Sequence, residues 1–138
     1  MRSLLASLSR FQPAVPLLLR LVLGAIFIAH GFGKISGGVD RFATTVNHIG
    51  FPMPGVFAWA AALAEFLGGI CVLVGLFTRW AALAIAIVMT VAITRVHLHQ
   101  GLVGGYEFPL TLLTVAVALM LTGGGPVSFD RSVLHRDF

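Results

Sequence analysis

The sequence predicts an all-α membrane protein: a four-transmembrane-helix bundle with a short interfacial helix between helices 1 and 2. Three observations carry this expectation. Of the 138 residues, 58% are hydrophobic and only 10% charged, with a mean hydropathy of +0.99, which is outside the range of water-soluble domains. Apolar runs long enough to cross a bilayer recur four times, at about 17–34, 56–77, 80–97 and 107–122. The connection Thr78-Arg79 is so short that the second and third runs must be antiparallel neighbours. The whole chain, 1–138, reads as a single integral membrane domain.

Each element has its own signal. The basic, serine-containing stretch 1–16 carries Leu4, Leu5, Leu8 and Phe11, which suit an amphipathic turn or two on the membrane surface. Arg2 and Arg10 before an apolar run resemble a secretory signal, but the run continues into further hydrophobic segments and is read as a retained first span. Pro13 and Pro16 suit a helix start, and Arg20 and Lys34 are placed so that each can snorkel to its own headgroup layer. Gly37-Gly38 breaks the helix. At about 39–49, Val39, Phe42, Ala43, Val46 and Ile49 share one side of a helical wheel, a stretch too short and polar to span and expected to lie across the mouth of the bundle. Phe51-Pro52-Met53-Pro54-Gly55 turns the chain into the second span. Gly101, Gly104 and Gly105 mark the last loop. Gly123-Gly124-Gly125-Pro126 ends the fourth span, leaving a polar tail with Ser128, Asp130, Arg131 and Arg136.

Four spans put both termini on one side. That side carries Arg2, Arg10, Arg20, Arg79, Arg131 and Arg136, against Lys34, Arg41 and Arg95 on the other. The positive-inside rule therefore predicts a bacterial inner-membrane protein with both termini cytoplasmic. A sequence pI near 10.7 does not indicate nucleic acid, because the basic residues are scattered singly between apolar runs. The single cysteine, Cys71, excludes an internal disulfide or dithiol.

The functional signal is Glu65, a carboxylate in the middle of the second span. It shares a stripe with Ala58, Ala61, Ala62, Gly68 and Gly69, whereas Leu63, Phe66, Leu67, Ile70 and Val74 lie opposite. Small residues let helices approach closely in lipid, so Glu65 should point into the bundle. It should lie roughly 13 Å below the outer surface. His30, Lys34, Arg95, His97, His99 and Glu107 are expected to converge on the same outward half, where such costly groups mark a site. Either Glu65 is structural, paired with Arg95 or hydrogen-bonded to His30, or it contacts a ligand or proton. His97 is favoured over His99 to face the bundle. No haem pair, flavin or NAD motif, or metal cluster is expected.

Gly31-x-x-Lys34, Glu65-Phe-Leu-Gly-Gly69, Gly75-Leu-Phe-Thr-Arg79, the histidine after the third span, Tyr106-Glu107-Phe-Pro-Leu and Gly125-Pro-Val-Ser-Phe-Asp-Arg131 together resemble the DoxX family of small bacterial membrane proteins. The resemblance spans roughly Leu17 to Arg131. It implies a four-helix inner-membrane bundle labelled an oxidoreductase component or quinone-linked subunit, some members working with soluble redox partners. On that reading Glu65, His30 and Lys34 form the catalytic set, with Glu65 relaying protons. Arg95, His97, Glu107 and Trp59 are expected at the cofactor, a quinone, with Phe27, Phe32 and Phe57 as further walls. The expected partners are membrane lipids, a soluble redox protein and a second copy of the chain. The alternatives are a non-catalytic anchor or assembly module for a partner protein and, more weakly, a small-solute or proton carrier.

Overall fold

The computed structural model describes residues 2–138, with side chains from Leu5 onward. The expected surface contact of Leu4 and the position of the Arg2 side chain lie outside the described residues. Helix α1 (Arg2–Leu8) runs through a tighter 3-10 stretch (Ser9–Ala14) into α2 (Val15–Ser36), with Pro16 in the first turn of α2, where no backbone donor is lost. The short α3 (Val39–His48) follows, then α4 (Pro54–Val74) and α5 (Thr78–Val91). Beyond Val91 the winding loosens into π-helical turns at Ala92–His97, then tightens at Leu98–Gln100. After a bend at Val103 and Gly104 the chain forms α6 (Glu107–Thr122) and a single turn, α7 (Phe129–Ser132). Among the described residues there is no β-strand. Four helical segments among the described residues are long and apolar enough to cross a membrane: Leu5–Ser36, Pro54–Val74, Thr78–Gln100 and Leu102–Thr122.

Helix α2 packs along α4, α5 along α6, and α4 joins the two pairs through α5. Leu23, Phe27, Val72, Ala82, Ile85, Ala116 and Leu119 form the buried centre. The α2–α4 contact depends on glycine. A Cβ at Gly31 would lie 2.6 Å from Phe66 Cα, and one at Gly69 would lie 2.7 Å from Ile28 N, so the two backbones nearly touch. Helix α3 caps the end of the bundle opposite the termini, where Val39 and Val46 bury against Ala58 with Ile35, Phe42, Ala43 and Phe51 around them.

At the end that holds the termini, the structure corrects two expectations. Arg20 does not snorkel: it is 2% exposed. It donates to the carbonyls of Val72 and Leu73 (both 2.9 Å), Gly124 (2.8 Å) and Val127 (2.6 Å). Bare helix-end carbonyls have no partner in hydrocarbon, so the guanidinium gains more by serving them than by reaching water. Asp130 is not part of a solvated tail. It is fully buried and accepts from Phe77 N (2.7 Å), Thr78 N (2.9 Å) and Thr78 Oγ1 (2.9 Å), capping α5 from a distant segment. Gly75, at φ +76° in the α4–α5 turn, leaves the room: a Cβ there would come within 2.7 Å of Arg20 Cζ. Among the described residues, this end of the bundle therefore holds more buried polar side chains, those of Arg20, Thr78, Ser128 and Asp130, than the α3 side, where Glu65 alone is buried.

Gly31→Ala should force α2 and α4 apart and destabilise the protein by about 1–3 kcal/mol. Gly33→Ala, with nothing within 4 Å of the added Cβ, should stabilise it by about 0.5–1 kcal/mol through helix propensity. Thermal unfolding of the two variants in detergent checks the opposite signs.

Candidate functional site

Glu65 lies on the inward face of α4 with Ala58, Ala62, Gly68 and Gly69, all buried. Eleven residues from the start of α4, it is about 16 Å along the helix axis and only 3% exposed. The glycine-mediated approach of α2 determines its partner. Lys34, one turn beyond His30 on α2, places Nζ against both carboxylate oxygens of Glu65. The ammonium also sits over the Phe42 ring, 4.7 Å from its centroid, so one cation ties α2, α3 and α4 together. Arg95 does not take this place: it is exposed, with its guanidinium 5.8 Å from the Phe51 ring centroid.

Beside the pair, α2, α4, α5 and α6 surround a cavity of about 570 Å³ roofed by α3. Its walls are overwhelmingly apolar, with Phe27, Phe42, Phe57, Val88 and Phe108 among them. The ionisable groups lining it are Lys34, Glu65, His30 and His97. His30 Nδ1 lies 2.9 Å from the Ile26 carbonyl. A carbonyl only accepts, so Nδ1 carries a proton, and in the neutral ring the lone pair is on Nε2. His97 reaches the wall because of the π-helical winding after Val91, and its Nδ1 lies 2.9 Å from Gln100 Oε1. His99, two residues on, is exposed. Lys34 and His30 also line a second, more open groove of about 550 Å³ together with Gly33, Gly37 and Arg41.

Of the residues expected to converge, the structure brings His30, Lys34, Glu65 and His97 together and leaves three outside. Glu107 is exposed and accepts from Gly104 N (2.7 Å), closing the turn before α6. Trp59 is 48% exposed, away from the face of α4 that carries Glu65, and does not line the cavity, nor does Phe32. Helical period explains Trp59, which is six residues from Glu65 and so well off its face. Sequence reasoning missed the part played by Phe42 and Thr45 of α3 in the roof. The apolar side of α3 was the available signal, since a helix lying across a bundle mouth must turn that side inward.

A family model described as DoxX matches residues 15–98. The chain belongs to the DoxX family. Similar members include a Bacillus subtilis (strain 168) protein named "Putative oxidoreductase CatD", 34% identical over 119 residues that cover 85% of each chain. The Escherichia coli (strain K12) "Inner membrane protein YqjF" is 32% identical over 122 residues, 83% of this chain and 88% of its own. "Inner membrane protein YphA" of the same organism is 29% identical over 130 residues, 87% and 91% of the two chains. No solved structure matches the chain. The stretch matched by the DoxX model contains Lys34, Glu65, His30 and His97, but ends before α6.

Removing one member of the ion pair strands the other. Lys34→Met leaves the 3% exposed Glu65 carboxylate without its cation and should cost about 3–5 kcal/mol, whereas a Lys34→Met/Glu65→Leu double variant should recover most of it. A double-mutant cycle by thermal unfolding in detergent measures the coupling.

Proposed function

We propose that this chain is a quinone-interacting membrane subunit of an oxidoreductase system, set in the bacterial inner membrane with both termini in the cytoplasm and the α3 end facing outward. The observation that carries the reading is the apolar cavity with a single ion pair in its wall. At about 570 Å³ it falls within the ~300–1,000 Å³ typical of pockets for small organic ligands. A quinone suits such a cavity, having a flat apolar ring with two carbonyl acceptors, and when bound it supplies a carrier for two electrons and two protons.

The residues of the chain provide what such a ring needs. Lys34 has three N–H donors, and Glu65 does not exhaust them, so one remains for a ring carbonyl. Glu65 holds that ammonium in place and is itself a proton acceptor, while His30 Nε2 offers a second basic site at the same wall. Phe27, Phe57 and Phe108 exclude water and present ring faces and edges. Lys34 and His30 line both the cavity and the open groove, which gives protons a way between the ring site and the water at the α3 end. The electrons are exchanged with a redox partner protein, since the chain carries no dinucleotide or haem motif of its own.

A second reading, a non-catalytic anchor for a partner protein, is favoured by one observation. Among the described residues, every buried side-chain nitrogen and oxygen has a hydrogen-bond partner, as a centre that only fastens helices would require.

The Lys34→Met/Glu65→Leu double variant separates the two readings. Wild-type protein purified from bacterial membranes should retain quinone, measured by solvent extraction and mass spectrometry, and the refolded stability of the double variant should be accompanied by a loss of roughly tenfold or more in occupancy, as expected when ionic hydrogen bonds are removed. Retention at the wild-type level by the double variant would overturn the quinone reading.

A further inference from the structure

The cavity is not closed on every side, and the position of its opening bears on what occupies it. Near their turn α4 and α5 are in contact: a Cβ at Gly68 would meet Ile85 Cγ1 at 3.5 Å. Beyond that point the helices diverge. Ala60, Ala61 and Ala64 of α4 and Ala84, Ile87 and Val91 of α5 line the cavity between them. Two of these residues are also exposed, Ala60 and Ile87, the latter at 57%; on the α2–α6 side the exposed lining residues His30 and Phe108 set their rings side by side, 6.3 Å between centroids, across the gap. Ala60 is about 9 Å along α4 and Ile87 about 14 Å along α5, so both lie within the apolar spans. Outside the bundle at that depth is hydrocarbon, not water.

The polar end of the cavity adjoins the same slot. Ala61 precedes Glu65 by one helical turn and Ala64 is its neighbour, so the ammonium and carboxylate of the Lys34–Glu65 pair sit at the inner end of an opening that leads sideways into lipid. Four of the six residues lining the slot are alanines. Larger side chains at those positions would fill it, because the gap between two diverging helices is set by what projects into it.

Building on the proposed quinone site, we infer that it takes a membrane-dissolved amphiphile: a compact carbonyl-bearing head held at Lys34, and a long apolar chain that leaves through the slot between α4 and α5. Ala60, Ala61, Ala64 and Ala84 are the residues that determine whether the chain fits. The site thereby selects lipid-soluble quinones over water-soluble ring compounds carrying the same head.

The test uses the full chain in lipid nanodiscs and two ligands with one benzoquinone head, the first bearing a prenyl chain and the second a methyl group in its place. Affinity is read by quenching of tryptophan fluorescence and corrected for partition into empty nanodiscs. After that correction the unmodified protein should still bind the prenylated ligand roughly severalfold more tightly, a gain that comes from packing of the chain against the slot walls, since the chain leaves lipid and not water. Ala64→Leu inside the slot and Ala60→Phe at its rim, each confirmed as folded by its thermal transition, should bring the prenylated ligand down to the affinity of the methyl ligand and leave the latter within about twofold. Equal loss for both ligands, or no loss for either, would overturn the chain assignment while leaving the quinone site standing. So would displacement of the prenylated ligand by a long-chain alcohol of matched length, which would show the slot to be a seam filled by any lipid chain. Binding of neither ligand by the unmodified protein would refute the quinone site and the slot together.

Discussion

A carboxylate cannot stand alone in hydrocarbon, and the bundle is arranged around meeting that constraint for Glu65. Its cation arrives only because α2 and α4 approach to backbone contact at Gly31 and Gly69, which brings Lys34 within reach of the inward face of α4. The same cation rests on Phe42 and so fixes α3 over the cavity. Close helix packing, the ion pair and the roof are thus one linked arrangement. Loosening the first would free the other two, because ion pairs in a medium of low dielectric constant lose much of their worth over small separations.

The two ends of the bundle solve the same problem by different means. At the α3 end a cation meets an anion. At the end that holds the termini, Arg20 and Asp130 make no direct ion pair and instead satisfy backbone: the guanidinium serves four carbonyls and the carboxylate serves two amides and a hydroxyl. The first arrangement leaves one donor of Lys34 beside a cavity, whereas the second engages four of the five guanidinium N–H groups and lines neither the cavity nor the groove. That difference, rather than the mere presence of buried charge, is what distinguishes a candidate site from a fastening.

Much of the architecture was legible in the sequence because lipid makes strong demands. Apolar runs of bilayer length, glycine-rich breaks and the short Thr78-Arg79 turn left little freedom, and the small-residue stripe around Glu65 indicated its inward face. The partner of Glu65 was less legible. Arg95 and His30 were as close to it in expected depth as Lys34, and only the α2–α4 crossing, set by glycines whose function is to be absent volume, decides among them. The π-helical turns after Val91 were also invisible to a 3.6-residue period, yet they turn His97 toward the cavity and leave Arg95 outside. Asp130 was hidden by its polar neighbours Ser128 and Arg131, which made a buried cap read as a solvated tail.

The bond between Arg20 and the last loop also constrains how the protein is made. Arg20 lies in the earliest of the four apolar spans, whereas two of the carbonyls that hold it, those of Gly124 and Val127, lie 104 and 107 residues later in the chain. Until that late segment has been synthesised, the guanidinium has half of its final partners, and α5 lacks the carboxylate that caps it. The polar contacts at this end of the bundle are therefore complete only when the segment following α6 is in place.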